Sequence, residues 1–258
     1  MSGVTDDGTP VAVLPLEYCG TCDRCLAGET AQCRTAMAHM YGLASDGGMA
    51  DTMVVREDTV VPLPDGLDVR DASLVEPLAV ALHAANRAGL RGGQRVAVIG
   101  AGSIGLLCAA IARDFGCDVA IAARHPAQYA AAEALGASLG PGGAYDVVFE
   151  AAGSATAFAQ ASDLCDRGGT IALVSTSWRP VSISFMAAQL KEVTLVPAIV
   201  YGHCHGDREF DTAAQILARH PEIPSAVITH RFPLDDAADA FRVAADRAAG
   251  AIKVVLEP

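Results

Sequence analysis

The chain has 258 residues, a formal net charge of −12, 52% hydrophobic and 19% charged residues. That length accommodates two domains with a sizeable core, and so high a hydrophobic share excludes a disordered chain. The acidic balance, without any Lys/Arg cluster, argues against nucleic acid or an anionic membrane surface as a partner.

Taken in chain order, the opening MSGVTDDGTP lacks the basic and apolar regions of a secretory signal. Apolar runs are broken well short of ~20 residues, so no membrane span and a cytoplasmic location are expected. Residues 1–75 carry short period-two runs, VAVLP and DTMVVREDTVVPLP, which predict short antiparallel strands around the cysteine-rich CGTCDRCLAGETAQC. EPLAVALHAANRAG, residues 76–89, has Pro second and Gly last, the punctuation of a helix. From about 94 to 200, short β runs alternate with helical stretches: RVAVIG, SIGLLCAAIARDFG, DVAIAA, PAQYAAAEALG, YDVVFEAAG, TAFAQASDLCDRGG and TIALVS. Such alternation predicts a parallel sheet covered on both faces. The tail reads as a helix, LDDAADAFRVAADRAAG, and a closing strand, AIKVVLE. No internal repeat interrupts this order.

Cys19, Cys22, Cys25 and Cys33 stand two, two and seven residues apart. Cysteines so spaced in a tight loop suit a tetrahedral, closed, structural Zn²⁺ site with four thiolates. A disulfide or redox pair and an iron–sulfur cluster are the competing readings, and a cytoplasmic setting disfavours the disulfide. A structural zinc can supply ~10–16 kcal/mol, against ~2–4 for one disulfide, and a small glycine-rich lobe needs that help. Cys108, Cys117 and Cys165, scattered among apolar residues, read as small buried hydrophobes.

VAVIGAGSIGLL places Gly100, Gly102 and Gly105 between a predicted strand and a predicted helix. Gly100 permits the tight turn, Gly102 lets the backbone approach a pyrophosphate, and Gly105 allows close helix–strand packing. Backbone N–H groups around Ser103 and Ile104 then open the helix toward the phosphates. The competing reading is a turn in an α/β domain that binds no nucleotide. A ribose-binding carboxylate is expected about 20 residues past the motif. That place falls on Ala123, followed by Arg124 and His125. A guanidinium without an acid suits a 2′-phosphate, favouring NADP(H) over NAD(H), unless Arg124 is a plain solvated charge.

A four-cysteine loop ahead of a GxGxxG unit resembles the zinc-containing medium-chain dehydrogenase/reductase family. EYCGTCDRCLAGETAQC is similar to its structural-zinc lobe, and ITHRFPLDDAADAFRVAADRAAGAIKVVLEP to its closing segment. EPLAVALHA is closer to the sorbitol and threonine dehydrogenase branch than to the alcohol dehydrogenases. The resemblance implies a doubly wound Rossmann sheet plus a truncated GroES-like β lobe. The implied divisions are 1–86 for that lobe, 87–222 for the dinucleotide-binding domain, and 223–258 for a segment returning to the lobe. It further implies one structural zinc per chain, an alcohol or carbonyl substrate, hydride transfer, and a homodimer or homotetramer joined through the cofactor domain. Glu76 takes, by resemblance, the place of a Glu beside a catalytic zinc. A first-turn acid favoured by the helix dipole is the alternative reading of it.

The family's catalytic-zinc ligands, a Cys and a His-Glu pair, lie upstream of the loop, where this sequence has no residues to carry them. Exposed sheet edges and apolar surface are therefore expected. Three readings follow. The start is trimmed or misassigned; the chain is a naturally short reductase without catalytic zinc, or one completed by a partner; or it binds cofactor without catalysing. A rebuilt metal site would have to draw on His203, Cys204 and His205 with Glu76 and His83. His203 and His205 share a face only if the segment is extended, so solvated loop histidines are favoured. His83, on a helix among apolar residues, reads as a hydrogen-bonded packing residue.

Overall fold

A computed structural model describes residues 1–177, 180–182, 184–246 and 249–258. Near the N-terminus β1 (Ser2–Val4), β2 (Pro10–Val13) and β3 (Val60–Pro62) form an antiparallel sheet in that order. Val11 faces Pro62 and Ala12 faces Val61, and Ala12, Leu14 and Leu16 are buried beneath. The cysteine loop and its one-turn helix α1 (Asp23–Leu26) leave this sheet directly.

The strand expected across DTMVVREDTVVPLP forms only at Val60–Pro62. Residues 57–59 make a tight turn in which Thr59 donates to the Arg56 carbonyl through both N–H (3.0 Å) and hydroxyl (2.7 Å). Upstream, Val54 is 96% exposed, so its alternation has no surface to pack against and no ladder forms. Val4, Leu43 and Met49 are exposed as well, the apolar surface expected from the sequence.

Helix α2 (Val75–Arg87) buries Leu78, Ala79, Ala81, Leu82, Ala84 and Ala85. A face made largely of alanines lets α3 (Ser103–Asp114), itself rich in small residues, lie close against it. The remaining elements of the central unit are β4 (Arg95–Ile99), β5 (Asp118–Ala122), α4 (Pro126–Ala134), β6 (Ser138–Leu139) and β7 (Tyr145–Glu150). They are followed by α5 (Ala155–Leu164), β8 (Cys165–Leu173), α6 (Phe185–Lys191) and β9 (Thr194–Pro197). All six strands run parallel in the order β6-β5-β4-β7-β8-β9. The strand order thus reverses between β4 and β7, the crevice where such sheets bind ligands.

The helix expected to run through Asp166 stops at Leu164, and Cys165 already belongs to β8. Lys191 explains the stop, because its ammonium donates to the carbonyls of Ser162 (3.0 Å), Asp163 (2.9 Å) and Cys165 (2.8 Å). Carbonyls that a helix end leaves without partners are thereby satisfied. Cys108, Cys117 and Cys165 are buried and free, as the sequence indicates.

The hairpin β10 (His203–Cys204) and β11 (Asp207–Arg208) leads into α7 (Glu209–Arg219) and α8 (Glu222–Val227). Finally β12 (Ile228–Pro233), α9 (Ala237–Ala245) and β13 (Lys253–Glu257) follow, with β12 and β13 parallel. The tail is tied to residues 70–71 by charge. Arg70 pairs with Glu257 at 2.8 Å, and Arg231 pairs with Asp71 and, at 2.8 Å, with Glu257.

His220 clamps the start of α8 to the end of α3, with Nε2 2.9 Å from Asp114 and Nδ1 2.8 Å from Glu222. Burial opposes the imidazolium, but the two carboxylates outweigh it and raise the pKa above the ordinary 6.5. A raised folded-state value means that the clamp is at full strength below the ordinary value and fades as pH rises through the raised one. His220→Ala should therefore lower the melting temperature more at about pH 6 than at about pH 9. An equal loss at both pH values would contradict the charged clamp.

Candidate functional site

The glycine loop sits at the carboxyl end of β4, beside the point where the strand order reverses. Gly100 has φ +105°, and a Cβ there would stand 2.9 Å from the Ala152 Cβ, so both conformation and crowding demand glycine. A Cβ on Gly105 would lie 1.8 Å from the Gly100 carbonyl oxygen, so α3 approaches β4 more closely than any side chain allows. Gly102 behaves differently. Its backbone is ordinary and extended, and a Cβ would meet no atom of the other described residues within 4 Å. That open space lies at the first turn of α3, where the N–H groups around Ser103 and Ile104 have no partners inside the helix. The room and the donors fit a dinucleotide diphosphate.

A buried carboxylate that the sequence reading passed over shapes this corner. Glu150, at the end of β7, is 0% exposed and accepts from the N–H groups of Ala152 (2.9 Å) and Gly153 (2.8 Å) and from the Ser175 hydroxyl. It fixes the 151–153 turn against which Gly100 packs. An acid closing an apolar strand just before AAG was the available signal.

Arg124 follows β5 and is exposed; no hydrogen bond or ion pair engages its guanidinium among the described residues. Its backbone is held, because Gln128 Oε1 accepts from the N–H groups of Arg124 (2.9 Å) and His125 (3.3 Å). A free guanidinium on a fixed backbone, beside the strand next to the glycine loop, can grip a phosphate.

The four cysteines converge. Their Sγ atoms all lie within 4.8 Å of one another, and Cys19 and Cys25 are 3.9 Å apart. Zinc–sulfur bonds of about 2.3 Å imply tetrahedral edges of about 3.8 Å, so the set fits one zinc with little contraction. A disulfide needs sulfurs about 2.05 Å apart, which this geometry does not provide. Backbone N–H groups of Thr21 and Cys22 pull the Cys19 thiol down to about 5. Burial, then the neighbouring cysteines, push Cys25 up to about 12. Burial also opposes Cys33, but the N–H groups of Cys19 and Thr35 hold it below the ordinary thiol value. A crowd of thiols that cannot all ionise unaided is the donor set a dication relieves.

Among the described residues these four are the only group of three or more His, Cys, Asp or Glu placed to hold a metal. The histidines of YGHCHGD are not brought together with Glu76. His205 (φ +54°) and Gly206 (φ +95°) form the turn between β10 and β11, so His203 and His205 do not share an extended face. His83 is a packing residue, its Nδ1 2.7 Å from the buried Glu209 carboxylate.

Glu76, in the first turn of α2, lines a cavity of about 1280 Å³ together with Met40, Tyr41, Ser73, Phe241 and Lys253. Burial raises its carboxyl above the usual range, against the pull of the N-terminal amine and Lys253. The Tyr201 hydroxyl, fully buried, faces this carboxyl without a well-formed hydrogen bond among the described residues. Burial, with the negative charge of Glu76 added, drives the phenol pKa far up. Glu209 and Tyr201 join elements far apart in sequence, and no local pattern marks either.

A three-over-three parallel sheet with a glycine loop at its reversal, set beside a four-thiol lobe, defines a dinucleotide-binding protein with a metal-binding β lobe. Known families agree in both halves. The alcohol dehydrogenase GroES-like domain matches residues 2–65, and the glucose dehydrogenase C-terminus matches residues 70–257. The 2-dehydro-3-deoxy-L-galactonate 5-dehydrogenase of Pseudoalteromonas atlantica is 30% identical over 250 residues, covering 91% of this chain and 71% of that protein. The crystal structure of L-idonate 5-dehydrogenase from Escherichia coli superposes with a TM-score of 0.85 at 27% identity, covering 97% of this chain and 76% of that one. A structure from Sinorhizobium meliloti bound to NADP gives 0.85 at 28%, covering 97% and 77%. The chain belongs to the zinc-containing medium-chain dehydrogenase/reductase family, of the alcohol and polyol dehydrogenase type.

Proposed function

We propose that the chain is an NADP(H)-preferring oxidoreductase acting between a secondary alcohol and its ketone, on a polyol or sugar-acid substrate. The observation that carries this reading is the open space at Gly102, at the start of α3 and the reversal of the sheet. The cofactor, when bound, supplies or accepts the hydride. In this reading Gly100, Gly102, Ser103, Ile104 and Gly105 present backbone N–H groups to its diphosphate, and Arg124 grips a 2′-phosphate. Glu76 faces the substrate cavity, where burial disfavours its charged form and raises its carboxyl above the usual range. The substrate class follows the galactonate and idonate dehydrogenases that the chain resembles. A zinc at Cys19, Cys22, Cys25 and Cys33 would be structural, since four thiolates leave no open position. Among the described residues no second cluster is placed to hold a metal, and slow turnover of alcohols by the chain alone is part of this proposal.

Fluorescence titration tests the cofactor assignment. NADPH is expected to bind more tightly than NADH, and Arg124→Asp should weaken NADPH by ~10–100-fold while leaving NADH nearly unchanged, as loss of a charge-assisted phosphate contact implies. Tighter NADH binding, or equal losses for both cofactors, would sink the assignment. The rival reading, a cofactor-binding subunit without chemistry, predicts no oxidation of any polyol or aldonate even at high enzyme concentration.

Assembly as a homodimer or homotetramer is part of the same proposal. Its support is β9, the outer strand of the six-stranded sheet, flanked by exposed Phe185, Met186, Leu190 and Ile199. A second copy pairing there would cover both the open edge and the apolar side chains.

A further inference from the structure

Residues 201–203 touch the cysteine loop at two separate places and, one residue further on, the helix that bears Glu76. Tyr18, just ahead of Cys19, donates its hydroxyl to the Tyr201 carbonyl at 2.9 Å. Thr30 Oγ1, inside the loop between Cys25 and Cys33, lies 2.7 Å from His203 Nδ1. Between these tethers, Gly202 is pressed onto the loop. A Cβ there would stand 2.6 Å from the Ala31 N, 2.9 Å from the Ala31 Cβ and 3.0 Å from Thr30 Oγ1. The loop backbone and the 201–203 backbone are therefore in contact with no side chain between them.

The other side of this ledge is fastened just as firmly. The Gly202 N–H donates to Glu209 Oε2 at 2.8 Å, and the Glu209 N–H donates to the Gly202 carbonyl at 2.9 Å. Glu209, 2% exposed, also accepts from Asn86 Nδ2 at 2.8 Å and contacts His83 Nδ1 at 2.7 Å, both on α2. Glu76 is the second residue of α2, in its first turn. The links from the cysteine loop through Gly202 and Glu209 to α2 are thus buried or half-buried contacts of defined geometry.

We propose that residues 201–203 are a docking ledge for the four-cysteine loop, so that metal loading and the hold of Glu209 on α2 are one coupled equilibrium. Glu209 is in this sense a positioning residue, joining the ledge to the helix that carries Glu76. The inference rests on the zinc assignment proposed above. Coupling of this kind is reciprocal: whatever unseats the ledge loosens the metal, and removal of the metal unseats the ledge.

The test uses the zinc-loaded chain and reads zinc release to a colorimetric chelator, with hydrogen exchange of residues 199–210 as an independent readout. Gly202→Ala should speed release by about tenfold or more, and His203→Ala by several-fold, within the ~5–150-fold range of typical couplings. Should Gly202→Ala not fold, Thr30→Val, which removes the Thr30–His203 contact from the loop side, takes its place. His220→Ala removes a comparable two-sided clamp elsewhere and should leave release at the wild-type rate. Stripping the zinc should also erase exchange protection in 201–209 while sparing β4 and β7. Wild-type release rates in the ledge variants, release equally fast in His220→Ala, or unchanged protection in the stripped protein would each overturn the coupling. Wild-type protein that retains zinc but shows those results refutes the ledge alone; wild-type protein that retains no zinc refutes the metal assignment with it.

Discussion

Gly105→Ala should weaken dinucleotide binding by roughly 100-fold while leaving the metal content unchanged. The added methyl would start 1.8 Å from the Gly100 carbonyl oxygen and 2.9 Å from its carbonyl carbon. Both are backbone atoms, so no side chain can swing aside; α3 must retreat from β4, or the 100–102 turn must deform. Overpacking of this kind costs ~1–3 kcal/mol, occasionally more. The same displacement moves the first turn of α3, whose N–H groups the diphosphate needs. A loss of about 3 kcal/mol there lowers affinity by roughly 100-fold. Titration with NADPH reads the effect, and zinc analysis of the same sample shows whether the β lobe is intact. Binding within a few-fold of wild type would mean that the close approach of helix and strand has no part in cofactor recognition.

The second large effect is expected from Cys25→Ser. Burial and the neighbouring cysteines push the Cys25 thiol up, and a dication that takes up the thiolate charge relieves that penalty. The lobe around it is short of other support. Helix α1 has a single turn with no buried residue, and Leu14, Leu16 and Ala36 are among the few apolar side chains beneath the loop. A structural zinc in small domains is worth ~10–16 kcal/mol of apparent folding energy. The variant should therefore carry no zinc after dialysis, and residues 15–40 should lose their exchange protection. Chelator treatment of the wild type should produce the same state. If Cys25→Ser keeps its metal and melts with the wild type, the thiols are not a zinc cage.

Local patterns made much of this molecule legible. Gly100, Gly102 and Gly105 announce themselves because strand, turn and helix follow one another without interruption. The cysteines do so because three of four ligands fall within seven residues, 19–25. Helix α2 appeared within a residue or two of its predicted limits, since Pro at its start and Gly after its end act through backbone conformation alone. What escaped is non-local. Glu209 finds His83 and Asn86 more than 120 residues away, and Thr30 finds His203 at a separation of 173. Side chains in such contacts carry no periodicity, and nothing in the residues around Glu209 marks it as buried. DTMVV failed for a related reason: alternation makes a strand only when a neighbouring strand and a core face receive it, and Val54 has neither. The YGHCHGD histidines, which the sequence favours as loop residues over ligands, are set in different directions by the left-handed turn at His205 and Gly206.

Metal stoichiometry tests the central claim most directly. Protein purified without chelators should contain one zinc per chain, bound through sulfur alone, with a cobalt-substituted form showing the spectrum of a tetrahedral tetrathiolate. Two zincs per chain would show that residues outside the four cysteines build a second, reactive centre; no zinc would show that the converged thiols serve some other purpose.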